Sequence, residues 1–270
     1  MKPFSRSLPL VAIAGALVAA AAHARALEWF EVTLPAPGPA QVIGSPAGAC
    51  IVGAVRLPPE GVGYQAVELS RNRHYGHPDL VDYLVTLGRK VHEAGLGILL
   101  VGDMSQPRGG PMSYGHVSHQ GGLDVDLSYR LDVPPLPRER REGIEEISFV
   151  DPETGRVDPR RWTDRQAELV RLAVSDPRVS RAFVDAAIKR DLCERQWEDR
   201  SWLRLVRVWP FHDDHVHVRL RCPEGSPECR DQAPLPPGEA CSGLVQPSPA
   251  RVRRTPRGLL PRACRAILAI

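Results

Sequence analysis

Two short stretches concentrate the residues able to do chemistry. The first reads Gly115-His116-Val117-Ser118-His119-Gln120-Gly121-Gly122-Leu123-Asp124-Val125-Asp126. The second, about ninety residues later, reads His212-Asp213-Asp214-His215-Val216-His217-Val218-Arg219-Leu220. Together they hold five of the nine histidines. Imidazole combined with carboxylate suits zinc, and three protein ligands leave one position open for water. From Leu123 to Leu127 apolar and acidic residues alternate, so a strand places Asp124 and Asp126 on one face. In the second stretch His215, His217 and Arg219 share one face, and Val216, Val218 and Leu220 the other. Two antiparallel strands would then hold a metal between their polar faces. The minimal ligand set is His119, Asp126 and His217. The spacing favours a catalytic zinc; a structural metal, or histidines that bind none, are the alternatives. The His-Glu-x-x-His helix pattern is absent, which excludes that class of zinc protease.

Other segments must position these two. Asp79 to Glu93 reads as a helix, with Leu80, Tyr83, Leu84, Leu87 and Val91 at helical spacing. Gly95 and Gly97 end it, and Ile98 to Val101 reads as a buried strand. Gly102 to Gly115 is a glycine- and proline-rich loop suited to carrying a site. Arg161 to Val174 and Arg178 to Glu194 read as scaffold helices separated by Asp176-Pro177. Trp202 to Val208 reads as a strand leading into the second stretch. His92 reads as a core histidine held by backbone carbonyls. Beyond Cys222 the chain is rich in Pro, Gly and Cys and reads as an irregular tail stapled back onto the body. No internal repeat is visible.

The start of the chain bears on the compartment. Lys2 and Arg6 precede an almost wholly apolar run from Leu8 to Ala22, and Ala22-His23-Ala24 offers a cleavage point. Residues 1–24 therefore read as a secretory signal peptide, the run being short of the roughly 20 residues that span a bilayer. Residues 25–270 then form one domain, with no stable membrane insertion after cleavage. Loss of Lys2 and Arg6 lowers the formal charge from +3 to +1, too balanced to imply a nucleic-acid binder. All six cysteines (Cys50, Cys193, Cys222, Cys229, Cys241 and Cys264) follow the leader. An even number in an oxidising compartment implies three disulfides, among 15 combinatorial pairings. Cys222 and Cys229 enclose a short loop and can close it locally.

The chain resembles the penicillin-insensitive murein endopeptidases, within the LAS group of zinc peptidases. The resemblance rests on Leu69-Ser70-Arg71-Asn72-Arg73, Tyr75-Gly76-His77-Pro78, Val101-Gly102-Asp103 and Pro107-Arg108-Gly109-Gly110-Pro111-Met112, together with Gly115 to Asp126 and His215 to Pro223. It implies an α+β fold of LAS metallopeptidase type, with a small central antiparallel sheet, surrounding helices and long loops. It places zinc ligands on His119, Asp126 and His217, and the histidine beside the catalytic water on His215. His212 falls on a further active-site histidine, and His116 on another that would contribute to a secondary metal position. It implies the disulfides Cys50–Cys264, Cys193–Cys241 and Cys222–Cys229. Tyr114 stands where a smaller residue is expected, and so would narrow the groove.

The implied activity is zinc-dependent hydrolysis of D-alanyl–meso-diaminopimelate cross-bridges in periplasmic peptidoglycan, with diaminopimelate–diaminopimelate bridges as a second target. The partners are cross-linked stem peptides. No nucleophilic serine takes part, which accounts for insensitivity to a drug that acylates serine. The alternatives are a zinc D-Ala-D-Ala carboxypeptidase and a noncatalytic peptidoglycan-binding protein.

Overall fold

The computed structural model describes residues 28–238, 240–242, 244–245, 247 and 260–269, so the leader assigned to residues 1–24 lies outside the described residues. After a 3-10 turn at Trp29–Glu31, the described chain forms a hairpin of β1 (Gln41–Ser45) and β2 (Gly48–Val52). Short strands β3 (Val55–Arg56), β4 (Glu60–Gly61), β5 (Tyr64–Ala66) and β6 (Tyr75–Gly76) follow, then helix α1 (Pro78–Glu93) and β7 (Leu99–Val101). The middle of the chain supplies β8 (Asp124–Ser128), β9 (Val150–Asp151), β10 (Arg156–Val157) and α2 (Asp164–Ala173). Next come β11 (Val179–Val184), α3 (Ala186–Glu194), β12 (Val206–Val208), β13 (His215–Leu220) and the C-terminal α4 (Arg262–Ala269).

Seven strands form the central sheet in the order β12-β11-β13-β8-β7-β5-β4. Its heart, β11-β13-β8-β7, is antiparallel as expected. Its flanks are not, because β5 pairs parallel with β7 and β11 parallel with β12. The reason is the connections. Chain that crosses over through a helix returns in the same direction, and α1 lies between β5 and β7 as α3 lies between β11 and β12. The α+β class holds, with a mixed sheet.

Local chemistry explains the helices. Pro78 occupies the first turn of α1, where its missing N–H costs nothing. The His77 side chain caps that turn, accepting from Asp79 N at 3.2 Å. Gly95, at φ 64°, ends the helix. Leu80, Leu84, Leu87 and Val91 form its buried stripe and share one core with Leu99, Val101, Val125, Leu127, Val216 and Val218. That core fills one face of the sheet, and the opposite face of β8 and β13 is left for polar side chains. His92 lies outside the stripe and is exposed on α1, contrary to the core role expected of it.

Three other expectations are corrected. Arg178 to Glu194 is not one helix, but β11 followed by α3. Val179, Ala182 and Val184 are buried, and Asp185 caps α3 by accepting from Ala187 N at 2.8 Å. The stretch can pair with both β12 and β13, and a helix would forfeit those bonds. The strand expected from Trp202 shrinks to β12, because Ser201–Leu205 coils into a 3-10 turn. Asp199 nucleates that turn by accepting from Ser201 N and Oγ, both at 2.8 Å. The tail is not wholly irregular, since α4 packs Cys264 and Ile267 against Trp29, Ala36 and Ile43. Arg108 satisfies the last carbonyls of α4, donating to Ile267 O at 2.9 Å and Leu268 O at 3.2 Å.

All three expected disulfides are present. Cys50–Cys264, Cys193–Cys241 and Cys222–Cys229 have Cα separations of 5.6, 5.8 and 5.7 Å.

Candidate metal centre

Strands β8 and β13 pair with His217 directly opposite Asp126 and Arg219 opposite Asp124. The register puts all four side chains on the face away from the core. His119 enters from the loop before β8 with φ 66°, a left-handed conformation that a non-glycine residue adopts only when its surroundings enforce it. Gly122 makes the following corner. At φ 69°, a Cβ there would meet Ile51 Cδ1 at 2.9 Å and Gly76 Cα at 3.1 Å.

Asp126 is the hub of the assembly. Its Oδ1 lies 3.4 Å from His119 Nε2, 3.5 Å from His215 Nε2 and 3.6 Å from His217 Nδ1. Its Oδ2 lies 3.4 Å from His116 Nδ1. The ring centroids of His119 and His217 are 4.5 Å apart, and those of His116 and His119 are 4.2 Å apart. His119 Nε2 and Asp126 Oδ1 are both buried and have no hydrogen-bond partner. Unpartnered buried polar atoms are costly. A nitrogen lone pair and a carboxylate oxygen converging this way are the donor set of a metal cation. His116, His119 and Asp126 form a compact group, with one ligand atom from each lying within 4.8 Å of the others. Expected ligand His217 reaches the same carboxylate from the neighbouring strand.

The outward nitrogen of each ring is tied down. His119 Nδ1 donates to Met104 O at 2.8 Å, and His217 Nε2 donates to Asp124 Oδ1 at 2.6 Å. His215 Nδ1 donates to Asp214 Oδ1 at 2.6 Å, and His212 Nδ1 to Pro210 O at 2.8 Å. Such bonds set each ring's orientation, and for His119, His215 and His217 the other nitrogen faces Asp126. Asp124 Oδ1 also accepts from Arg219 Nε at 2.6 Å, which anchors the pair from below.

Electrostatics separates the rings. Burial pushes the His217 pKa down to about 4, with His119 adding to that effect against the pull of Asp124. Burial also pushes His212 well down, with His215 and His217 adding to it, so both rings are neutral, the form that binds metal. Burial opposes protonation of His215 too, but Asp126 and Asp214 outweigh it and raise its pKa to about 9. Asp126 is held well below the usual carboxylate range, because His119, His215 and His116 overcome its burial.

The structure thus brings His116, His119, Asp126, His215 and His217 around one point. His212 stands beside them, its ring 4.9 Å from that of His215. Sequence reasoning assigned no role to Asp124, Asp214 or Asp103, although signals existed. Asp124 shares the strand face of Asp126, and Asp214 precedes His215. Asp103 falls in the Val101-Gly102-Asp103 segment, and its Oδ2 lies 3.0 Å from His116 Nε2. Above the centre opens a cleft of about 570 Å³. Tyr114 sits on its wall, 59% exposed, with the Arg73 guanidinium 4.1 Å from its ring centre.

A family model described as penicillin-insensitive murein endopeptidase matches residues 42–269. The chain is 42% identical over 261 residues to the penicillin-insensitive murein endopeptidase of Klebsiella pneumoniae subsp. pneumoniae, covering 94% of this chain and 95% of that protein. It is 44% identical over 218 residues to the protein of that name from Haemophilus influenzae, covering 80% and 76%. The Salmonella arizonae protein is 41% identical over 251 residues, covering 90% and 91%.

Proposed function

The chain belongs to the penicillin-insensitive murein endopeptidase family, and from that membership we propose that it is a zinc-dependent hydrolase of peptidoglycan cross-bridges. The bonds are D-alanyl–meso-diaminopimelate and, sharing the same leaving amine, diaminopimelate–diaminopimelate. The observation that carries the metal reading is the orphaned buried pair His119 Nε2 and Asp126 Oδ1. The residues present fit the ion, with His119, Asp126 and His217 as its ligands, a position left open for water, and His116 beside Asp126 Oδ2 as a donor to a secondary metal position. Zinc held there would supply Lewis acidity at the scissile carbonyl.

The chain's own residues do the rest. His215 is set as the base. Its Nδ1–H is committed to Asp214, and a cation held by Asp126 would cancel the chief charge that raises the ring's pKa, so that Nε2 can take the proton of the attacking water and return it to the leaving amine. Asp214 stabilises the imidazolium between those transfers. Asp124 and Met104 O hold the His217 and His119 rings in register. No serine ester forms along this route, which matches the family's insensitivity to penicillin. Three disulfides fit an oxidising compartment, and the periplasm is where the substrate lies. Among the described residues no helix is long and apolar enough to cross a membrane.

The test uses purified cross-linked muropeptide dimers and mass spectrometry. Zinc-loaded protein should convert dimers to monomers, chelated protein should not, and re-addition of zinc should restore turnover. Intact dimers in the presence of zinc would sink the proposal. Release of free D-Ala without dimer splitting would identify a carboxypeptidase. Binding to sacculi without turnover would identify a wall-binding module.

A further inference from the structure

The charged side chains that border the cleft above the metal group are mostly anions. Glu68, Asp103, Glu145, Glu146, Asp213 and Asp214 line it. Among the described lining residues, two guanidinium groups stand against them, Arg71 and Arg73. They are not equivalent. Arg73 is 4% exposed and donates to Asp103 Oδ2 at 2.8 Å and to Tyr114 O at 3.2 Å, so the fold uses its donors. The Arg71 side chain is 30% exposed. Its nearest carboxylate oxygens, Glu68 Oε2 at 3.3 Å and Asp103 Oδ2 at 3.6 Å, lie beyond good hydrogen-bond distance. Asp103 Oδ2 already receives Arg73 and His116. Arg71 therefore keeps donors for the cleft.

The turn that carries Arg71 is held rigidly. Leu69–Arg71 is a 3-10 turn bracketed by Glu68 and Asn72, with φ of 55° and 54°. Left-handed backbone outside glycine persists only where neighbours over-determine it. They do so here. Glu68 N donates to Arg141 O at 2.8 Å, and Ile144 N donates to Glu68 Oε1 at 3.0 Å. Ser70 N and Oγ donate to the Glu142 carboxylate at 3.1 and 2.6 Å. Asn72 Nδ2 donates to Val32 O at 3.2 Å. Contacts run from Arg71 through Asp103 and His116 to Asp126, so the guanidinium stands close to where the bond breaks.

We propose that Arg71 is a specificity-determining residue that receives the free carboxylate on the carbon bearing the scissile amide nitrogen. This rests on the cross-bridge reading above. In both bridges that carbon is the D-centre of diaminopimelate, and its carboxylate is unsubstituted. A planar guanidinium takes a carboxylate with two parallel hydrogen bonds. Elsewhere in the lining Glu145, Glu146, Asp213 and Asp214 disfavour the same carboxylate, which orients the substrate. The arrangement makes the leaving side constant and the acyl side variable.

Two synthetic dimers test it, one with that carboxylate free and one with it as a primary amide. Amidation should lower wild-type kcat/KM by about 10- to 100-fold, the worth of hydrogen bonds to a charged group. Arg71→Gln should lose a similar factor on the free dimer and discriminate little between the two. Arg71→Lys should fall between. Zinc content and melting temperature should match wild type. Calorimetry on zinc-free protein should show the released stem peptide binding more weakly to Arg71→Gln than to wild type, and the amidated peptide binding equally to both. Equal loss by the variant on both dimers, or a wild type indifferent to amidation, overturns the proposal. If Arg71→Gln does not fold, the wild-type comparison of the two dimers still decides. If zinc-loaded wild type splits neither dimer, the cross-bridge reading fails instead, and the calorimetry judges Arg71 separately.

Discussion

Asp124→Asn is the sharpest single perturbation of the centre. Asp124 is 1% exposed, and one of its oxygens accepts from both Arg219 Nε and His217 Nε2, each at 2.6 Å. Arg219 is itself 6% exposed, so it would be left as a buried cation with only a neutral acceptor there. Breaking a buried pair costs about 3–5 kcal/mol. Asparagine keeps one acceptor oxygen, and Arg219 Nη1 keeps its bond to Gln232 Oε1 at 2.7 Å, so the lower end applies, about 3 kcal/mol. For a chain of this size that lowers the melting temperature by roughly 6–12 °C. The second effect is on the metal. Without the carboxylate the His217 ring is less basic and less firmly oriented, which should weaken zinc binding by about 10- to 100-fold. The assay pairs thermal unfolding of the zinc-free variant with zinc titration against a competing chelator. A destabilised variant with unchanged zinc affinity would show that Asp124 serves the fold alone and that His217 is not a ligand. Unchanged stability would refute the treatment of Arg219 as a dependent buried charge.

Three further outcomes are expected. His217→Ala should lose bound zinc and turnover together, whereas His215→Ala should keep most zinc and lose about 10²- to 10⁴-fold in rate; equal metal loss in both would overturn their separate roles. Cys50→Ala with Cys264→Ala opens a loop with a sequence separation of 214, for which chain entropy gives about 5 kcal/mol. Calorimetric melting should fall sharply, while zinc affinity at a temperature where the protein is folded stays unchanged. His74 is 4% exposed and accepts from Arg56 Nε at 2.7 Å. Burial, then Arg56 and Arg138, push its pKa down to about 4 against the weaker pull of Glu142. The unfolded chain therefore binds more protons between about pH 6.5 and 4, so stability present above that window falls by about 2–3 kcal/mol as pH drops through it. His74→Gln should flatten that part of the urea-midpoint profile, and an unchanged slope would count against the assignment.

Much of this molecule is local, and what is local was legible. The stripe on α1 and the alternation in β8 and β13 follow from side-chain period alone, because each residue's face is set by its own backbone. The ligand types and the pairing of two polar faces followed from the same rule. Distance in sequence is where that reading stopped. Val179–Val184 carries no strong period, and it is a strand because β13 and β12 flank it with unpaired backbone groups. The mixed sheet depends on which way the helical crossovers return the chain. The orientation of His119 comes from Met104 O, that of His217 from Asp124 with Arg219 behind it, and the reach of Arg71 from a turn clamped by residues 141–144. The amino-acid sequence by itself therefore determined which metal-ligating and acid–base groups the chain carries and on which strand faces they stand. Only the tertiary structure decided which nitrogen each ring presents and which charges stay free. Those are properties of contacts between segments far apart in the chain, and burial makes each one strong enough to matter.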